Sequence, residues 1–331
     1  MGIGIYGAGN IGSEIYREAL RKGHSVSFIK KSDGFYEDLE YKVEDSKIDK
    51  VLENVEKANP IFVAIPTKDD GKIEYDIIKS HVEKEKIVIT SAKGALSNYF
   101  TELKPYLHLI GYRATVGGGT GMLHYLQREI KSNPEFKEIH GIINASLNYY
   151  LYRKNVMSSE EALQECIKYR YAEPGASSVL KFINNESCSD IPMKSAILFN
   201  LSGISEQIIE ARNIRPSEIS KADLKKLESE SRETKYIVSI TRKECRDKRI
   251  GGFQYKAGEW YITGGFRRID KGGLFRFFKL AEYENNSLII HRENRTEQLI
   301  GAGAGPYPTV YSMFKDAKAL LKENKPLILN N

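Results

Sequence analysis

Four charged residues could do chemistry together: Lys93, Glu173, Asp190 and Lys194. Asp190 and Lys194 are four positions apart, so on a helix their side chains share one face. An apolar run at residues 195–201 predicts such a helix, beginning near Asp190 with the carboxylate at its positive end. A lysine ammonium beside a developing negative charge can stabilise that charge and supply a proton. We therefore predict that these four residues form a reaction centre.

Composition limits the classes of protein to which the chain can belong. It has 331 residues, 41% of them hydrophobic, and a net charge of +6. That length predicts two domains, or one with a large insertion. The mild charge is compatible with an anionic small molecule and too weak to indicate nucleic acid. Three widely spaced cysteines argue against a disulfide framework or a zinc site and predict a reducing compartment. No apolar run reaches the length of a membrane span and no signal peptide is apparent, so we expect a cytoplasmic protein.

The N-terminal stretch predicts a dinucleotide site. Residues 3–6 form a short apolar run, and a glycine-rich turn and a helical pattern follow it. Strand, glycine turn and helix in this order are what a dinucleotide fingerprint requires. Gly7 allows the tight turn, Gly9 lets the backbone approach the pyrophosphate, and Gly12 lets helix and strand pack closely. The pyrophosphate then lies at the helix N-terminus. We assign the cofactor to Gly7, Gly9, Asn10, Ile11 and Gly12; the alternative is a glycine-rich turn of another α/β protein.

The residues that close the second predicted strand select the cofactor. That strand covers residues 25–29, and Lys30 and Lys31 follow it. An acid at this point would hold the ribose 2′-hydroxyl of NAD. Two ammonium groups would instead pair with a 2′-phosphate. We therefore predict a preference for NADP, with NAD as the alternative if both lysines are merely solvated.

Later predicted strands bring further residues to the same edge of the sheet. Residues 61–65 and 87–89 are continuous apolar runs, typical of parallel strands buried on both faces. Pro66 and Thr67 follow the first run, and Lys93 follows the second. In a doubly wound sheet, the carboxyl ends of parallel strands face the ligand crevice. We therefore add these three residues to the cofactor site, although for Lys93 alone an ordinary loop lysine would be the simpler interpretation.

Two more polar stretches follow. Residues 109–116 predict another strand, and the glycine cluster 117–121 after it could approach a ligand or a small cation, or be a flexible crossover. Ser146 and Asn148 lie near the start of a later helix, where they could bind a carboxylate or simply cap the helix.

In the second half of the chain, the pattern predicts helices at residues 198–211 and 310–321. It also predicts antiparallel strands that include residues 275–283 and 288–291, with a turn at 284–286. A basic cluster at residues 242–249 is interrupted by acids, and this indicates a solvated hairpin rather than a nucleic-acid site.

The predicted fold class is α/β, a Rossmann-type doubly wound parallel sheet with a second α+β domain. Residues 1–116 would bind the nucleotide, completed by 305–331, and residues 117–304 would bind the substrate and form a dimer.

The order of these motifs resembles the homoserine dehydrogenase family, in its short form without a regulatory domain. That family has a glycine fingerprint, Pro-Thr, Thr-Ala-Asn-Lys, Val-Gly-Gly-Gly, Asn-Gly-Thr-x-Asn-Tyr, Glu-Pro, Asp-x-x-x-Lys and Gly-x-Gly-Ala-Gly-x-x-Pro-Thr. The corresponding stretches here are residues 7–12, Pro66-Thr67, Thr90-Ser91-Ala92-Lys93, 116–119, 144–149, Glu173-Pro174, Asp190 with Lys194, and 301–309. The match spans nearly the whole chain, and no single block carries it.

The resemblance implies roles for individual residues. Lys194 would donate the proton and Lys93 would orient the carbonyl, while Glu173 would hold the substrate ammonium with Asp190 close by. We assign substrate binding to Asn144, Ser146, Glu173 and Asp190, and add Gly303 to the cofactor site. The resemblance further implies a homodimer and a sodium site of backbone carbonyls at Arg113, Val116, Gly118 and Thr120. The implied reaction interconverts L-aspartate 4-semialdehyde and L-homoserine in threonine and methionine biosynthesis.

Three departures from the family pattern lie near these residues. The family usually has an acid where this chain has Arg113. The extra acid often seen before Asp190 is absent, and Asn185 is its nearest counterpart. The Asn-Gly-Thr block reads Asn144-Ala145-Ser146. Two alternatives therefore stay open: another NAD(P)-dependent amino-acid or semialdehyde oxidoreductase on the same fold, or a nicotinamide-binding regulator without catalysis.

Overall fold

The computed structural model describes residues 2–172, 177–229, 234–245, 249–270 and 272–323. The chain divides into two compact units, Met1–Thr115 with Thr309–Asn331, and Val116–Pro308. The second unit is therefore an insertion into the first. The functions predicted for these parts of the chain stay predictions.

The first unit is built on one sheet. Its strands are β1 (Gly2–Tyr6), β2 (Ser25–Lys31), β3 (Gly34–Tyr36), β4 (Ile61–Val63), β5 (Val88–Thr90) and β6 (Ile110–Gly111). They lie in the order β3-β2-β1-β4-β5-β6, and all pairs are parallel except the β2–β3 hairpin at the edge. The helices that alternate with them are α1 (Asn10–Arg21), α2 (Ile48–Lys57), α3 (Lys72–Val82), α4 (Gly94–Asn98) and α5 (Phe100–Leu103). This arrangement confirms the predicted Rossmann-type sheet.

Two strand predictions in this unit need correction. β2 extends beyond the predicted residues 25–29, because β3 folds back and pairs with Lys30 and Lys31. The strand predicted over residues 109–116 is only Ile110–Gly111, and a 3-10 turn follows at Arg113–Thr115. There the carboxylate of Asp316 accepts the Arg113 backbone N–H at 2.9 Å, so that N–H is not available to a sheet.

The second unit holds an antiparallel sheet. Its strands are β7 (Glu138–Ile142), β8 (Thr234–Tyr236), β9 (Val238–Thr241), β10 (Phe253–Ala257), β11 (Trp260–Gly264), β12 (Phe266–Arg268), β13 (Asn285–His291) and β14 (Thr296–Ala302). Six of them form a sheet in the order β10-β11-β9-β7-β13-β14, and β8 pairs with β12. The helices are α6 (Met122–Ser132), α7 (Ala145–Arg153), α8 (Ser159–Lys168), α9 (Val179–Asn185), α10 (Ile191–Ser202) and α11 (Lys221–Ser229). The predicted α+β second domain is confirmed as a fold.

Three local predictions in this unit are wrong. The strand predicted over residues 275–283 is a 3-10 helix, Leu274–Leu280, which buries Phe278 against Ile142 and Ile289. The turn predicted at residues 284–286 lies at Tyr283 and Glu284 instead, because β13 begins at Asn285. The helix predicted over residues 198–211 ends at Ser202, because Gly203 adopts a left-handed conformation with φ +77° that terminates it.

The last helix, α12 (Pro306–Glu323), returns to the first unit. Its buried residues Val310, Met313 and Ala317 belong to the same apolar cluster as Ile5 and Ile15 of β1 and α1. This agrees with the prediction that the closing helix packs on the sheet of the first unit. Among the described residues, no helix combines the length and the apolar character needed to cross a membrane.

Candidate functional site

The glycine turn between β1 and α1 has the geometry that a dinucleotide fingerprint needs. Gly7 has φ +96°, and a Cβ built on it would lie 2.2 Å from the Ala64 carbonyl oxygen. A Cβ on Gly12 would lie 2.0 Å from the Gly7 carbonyl oxygen, so helix and strand touch there. A Cβ on Gly9 would meet no described atom within 4 Å. Two glycines are thus required for packing, and the third leaves open space at the helix N-terminus.

The first turn of α1 is prepared for an anion. Asn10 and Ile11 begin the helix, and its first turn contains no acidic residue in the sequence. The leading N–H groups of a helix carry a partial positive charge and point outward along its axis. Together with the open side of Gly9, these features fit the pyrophosphate of a dinucleotide.

Lys30 and Lys31 lie in β2 rather than after it, which makes them inequivalent. Successive side chains of a strand point to opposite faces. Lys31 Nζ donates a hydrogen bond to the Leu39 carbonyl oxygen at 2.6 Å and lies 3.6 Å from the centre of the Tyr36 ring. Lys30 Nζ lies 4.8 Å from the centre of the Phe35 ring. Lys31 therefore stabilises the loop after β3, while Lys30 lies over the Phe35 ring of the β2–β3 hairpin.

The carboxyl ends of strands β4 and β5 lie side by side, because their last residues, Val63 and Thr90, pair with each other. Pro66 and Thr67 follow β4, and Lys93 follows β5 directly before α4. The Gly94 N–H donates a hydrogen bond to Thr67 Oγ1 at 3.3 Å, so Thr67 contacts the turn that carries Lys93. The structure thus brings these predicted residues to one edge of the sheet.

Asp190 is not at the start of a helix, which corrects the prediction. Ser178 caps the N-terminus of α9, accepting a hydrogen bond from the Lys181 N–H at 3.3 Å. A π-helical segment, Glu186–Asp190, then joins α9 to α10 with right-handed backbone throughout. Pro192 has no N–H to donate, and the wide π turn lies immediately before it. The positive end of a helix therefore does not act on Asp190, but π turns of this kind are frequent at functional sites.

A cluster of polar side chains surrounds this π segment. Lys194 Nζ lies 2.7 Å from Asp190 Oδ2, as the spacing of four residues predicts. Asn144 Nδ2 donates to Asp190 Oδ2 at 2.8 Å and to Glu186 Oε2 at 2.5 Å. Asn144 Oδ1 accepts the Leu147 N–H at 2.7 Å and caps α7, which fixes the orientation of the amide. The side chains of Asp190 and Lys194 are 17% and 13% exposed, so both are largely removed from water.

Glu186 is the site residue that sequence reasoning missed. The sequence indicated Asn185 as the counterpart of the extra acid of the family, but it is Glu186 that meets Asn144 beside Asp190. Glu186 is buried. The π segment shifts the helical register by one residue, and linear spacing contains no signal of that shift. The cluster therefore holds two carboxyl groups and one ammonium group, a set whose carboxylates could bind a cationic group of a substrate.

The other predicted substrate and cofactor residues of this unit have varied surroundings. Ser146 Oγ donates a hydrogen bond to the Tyr171 carbonyl oxygen. Asn148 donates to the carbonyl oxygens of Ala281 and Tyr283, so its amide holds a loop. Gly303 packs against Asn286, whose Nδ2 would lie 2.3 Å from a Cβ at position 303. Glu173 lies outside the described residues. The meeting of Lys93 with Lys194 stays a prediction.

The glycine cluster proposed for sodium is a folded turn. Gly117, Gly118 and Gly121 have positive φ angles of 82°, 52° and 71°. Thr120 donates its N–H to the Gly117 carbonyl oxygen at 2.8 Å and its hydroxyl to the carbonyl oxygens of β14. These contacts anchor the turn, and the carbonyl oxygens of Arg113, Val116, Gly118 and Thr120 stay the predicted ligands. Arg113 Nε forms an ion pair with Asp316 Oδ1 at 2.9 Å. Across the described part of the chain, no group of three His, Cys, Asp or Glu side chains could hold a metal ion. The sodium site stays a prediction.

Comparison with known proteins adds an independent observation. The family model described as homoserine dehydrogenase matches residues 122–317, and the model described as NADP oxidoreductase coenzyme F420-dependent matches residues 2–94. No curated protein sequence matches the chain.

Solved structures agree in fold. Homoserine dehydrogenase from Thermoplasma acidophilum has a TM-score of 0.69 at 19% identity, over 97% of this chain and 99% of that one. A hyperthermophilic archaeal homoserine dehydrogenase in complex with NADPH has a TM-score of 0.68 at 18% identity, over 98% of each chain. The enzyme from Thiobacillus denitrificans has a TM-score of 0.68 at 16% identity, over 98% of this chain and 74% of that one.

The homoserine dehydrogenase model covers more than half of the chain and includes the Asp190–Lys194 cluster. The predicted resemblance is therefore confirmed. The chain belongs to the homoserine dehydrogenase family and is an NAD(P)-dependent oxidoreductase.

Proposed function

We propose that this enzyme interconverts L-aspartate 4-semialdehyde and L-homoserine with NADP as the cofactor. The observation that carries the proposal is the cluster of Lys194, Asp190, Glu186 and Asn144 inside the segment that matches the homoserine dehydrogenase model. It combines a lysine next to partly buried carboxylates, which is what a proton donor beside an amino-acid ammonium requires.

Within this proposal, the carboxylates and the lysine have separate tasks. Asp190 and Glu186, with Glu173 as predicted, bind the α-ammonium of the substrate through charge-assisted hydrogen bonds. Asn144 holds Asp190 and Glu186 in register, because one amide nitrogen contacts both. Lys194 donates a proton to the carbonyl oxygen during reduction and accepts it back during oxidation. Lys93 orients the same carbonyl group.

The cofactor supplies a hydride to the carbonyl carbon when bound. In this chain the Gly7–Gly12 turn binds its pyrophosphate and a lysine of β2 binds the 2′-phosphate of NADP. The match of residues 2–94 to an NADP oxidoreductase model and the NADPH in a structural neighbour support this choice.

The test is a spectrophotometric assay at 340 nm. Oxidation is measured with homoserine and NADP, and reduction is measured with L-aspartate 4-semialdehyde and NADPH. Lys194→Ala should lower kcat by about 10²-fold or more, the usual contribution of a general acid–base group. Lys181→Ala is the matched control, because this lysine lies on the same helical segment and is exposed. Equal rates of the wild type and Lys194→Ala would refute the role of Lys194. If the enzyme turns over another amino alcohol and not homoserine, it is instead a different amino-acid or semialdehyde oxidoreductase on the same fold.

Assembly, pathway and location extend the same proposal. The family resemblance supports a homodimer that acts in threonine and methionine biosynthesis in the cytoplasm. Light scattering of the purified enzyme tests the dimer, since a mass of one chain in solution would contradict it.

A further inference from the structure

Glu74 is a buried carboxylate with no role in the site described so far. It lies in the first turn of α3 and its side chain is 0% exposed. Carboxylates are rarely buried to this extent without partners. Glu74 Oε2 accepts the Ala95 N–H at 2.9 Å, which places it at the N-terminus of α4, immediately after Lys93. The carboxylate therefore acts on the turn that presents Lys93.

The backbone around this carboxylate is packed without spare room. A Cβ on Gly94 would lie 2.5 Å from Gly71 Cα and 2.7 Å from Glu74 Oε2. Gly71 has φ +86°, a left-handed conformation that glycine adopts without strain. Asn98 Nδ2 donates to the Asp70 carbonyl oxygen at 3.0 Å and ties the two helix ends together from the other side. The start of α3 thus fixes the position of the turn that follows β5.

The charges around Glu74 single out Lys93. Burial raises the pKa of Glu74, and the Thr67 hydroxyl, the Ala95 amide and the positive charge of Lys93 oppose this rise. The other charged groups at this end of α3 are exposed: Asp69 and Asp70 precede the helix, and Lys72 pairs with Asp76 at the surface. A charge at the surface is strongly screened by water and salt, whereas a buried charge is screened much less.

We infer that Glu74 is a positioning residue for Lys93, because it fixes the turn that carries this lysine. This role rests on the proposed function, in which Lys93 orients the substrate carbonyl. The carboxylate touches neither substrate nor cofactor in this role. It acts through the Lys93–Ala95 backbone and through charge.

The test compares Glu74→Gln, which keeps the size and an acceptor oxygen but removes the charge, with Glu102→Gln in α5, an exposed control. Glu74→Gln should lower kcat for semialdehyde reduction at least tenfold, while KM and the Kd of NADPH stay within threefold. The wild-type kcat should fall on the acid side as Glu74 becomes protonated, and the variant should lose this limb of the pH profile. Glu74→Asp restores the charge and should recover part of kcat. If Glu74→Gln keeps the wild-type kcat and the acid limb of its pH profile, the inference is overturned. It is also overturned if Glu74→Gln and Glu74→Asp both melt like the wild type and lose the same fraction of kcat.

A second measurement does not depend on turnover. The rate at which Lys93 is acylated by acetic anhydride, followed by mass spectrometry at pH 8, reports how readily its amine loses a proton. Glu74→Gln should increase that rate at least threefold, and Glu102→Gln should not. If the wild type turns over no homoserine but this difference is found, the proposed substrate fails and the Glu74–Lys93 coupling stands. If the labelling rates are equal, the coupling is refuted whatever the substrate.

Discussion

The glycine turn allows cofactor binding to be separated from folding with two matched substitutions. Gly9→Ala adds a methyl group in open space, and Gly9 already has φ −70°, which alanine adopts without strain. Loss of a favourable helix-capping residue and the lower entropy of the unfolded chain are opposed effects, each about 0.5–1 kcal/mol. The free energy of unfolding should therefore change by less than about 1 kcal/mol.

Gly12→Ala has the opposite profile. Its Cβ would lie 2.0 Å from the Gly7 carbonyl oxygen and 2.6 Å from the Gly7 carbonyl carbon. Ordinary contacts are longer by more than 1 Å, so the start of α1 must move away from β1. Overpacking of this kind costs about 1–3 kcal/mol. We expect Gly12→Ala to unfold several degrees below the wild type.

Gly9→Ala should weaken cofactor binding even though it leaves the stability of the fold nearly unchanged. The methyl group of Gly9→Ala fills the space through which a pyrophosphate would approach the helix N-terminus. We expect the Kd of NADPH, measured by its fluorescence, to rise at least tenfold, or about 1.4 kcal/mol. A wild-type Kd for Gly9→Ala, in a protein with wild-type melting temperature, would refute the assignment of this turn to the cofactor.

Three further outcomes follow from the structure. Lys30→Ala should weaken NADPH binding about tenfold and leave NADH unchanged, whereas Lys31→Ala should chiefly lower the melting temperature, because Lys31 is bound to Leu39; equal effects of both on NADPH would contradict this difference. Glu186→Gln should raise KM for homoserine about tenfold at unchanged Kd for NADPH, and an unchanged KM would remove Glu186 from the substrate site. Burial raises the pKa of Asp316 from 3.8 to about 6, so its stabilising contribution is complete below pH 3.8 and is lost as the pH rises through 6, by about 3 kcal/mol in all. The free energy of unfolding is measured in urea for the wild type and for Asp316→Asn at pH 5 and pH 8. From pH 5 to pH 8, the wild type should lose roughly 1 kcal/mol relative to the variant. If the difference between the two proteins does not change with pH, the pKa of Asp316 is not raised.

The features that sequence predicts well are those whose cause is local. The spacing of Gly7, Gly9 and Gly12 determines a turn through contacts among near neighbours, and each glycine has the surroundings that its proposed task requires. The pairing of Asp190 with Lys194 follows from the period of a helix. These parts of the fold and of the site could be predicted because few residues decide them.

The features that sequence missed depend on distant contacts. Phe275 to Phe278 have the aromatic character of a strand, but packing of Phe278 on Ile142 and Ile289 selects a 3-10 helix. Glu186 reaches Asn144 through a π turn that no residue type specifies. Glu74 resembles any solvated acid of a first helical turn until the tertiary structure buries it. Whether Lys93 meets Lys194 depends on the arrangement of the whole chain and stays a prediction.

The return of α12 to the sheet where the chain began has a consequence for synthesis. Val310 and Met313 complete a core whose other members, such as Ile3 and Ile15, leave the ribosome some three hundred residues earlier. Until α12 has been synthesised, the nascent Rossmann sheet has an uncovered apolar face. The inserted unit is contiguous in sequence and can fold first, so we expect chaperones to protect the N-terminal part of the nascent polypeptide until α12 has left the ribosome.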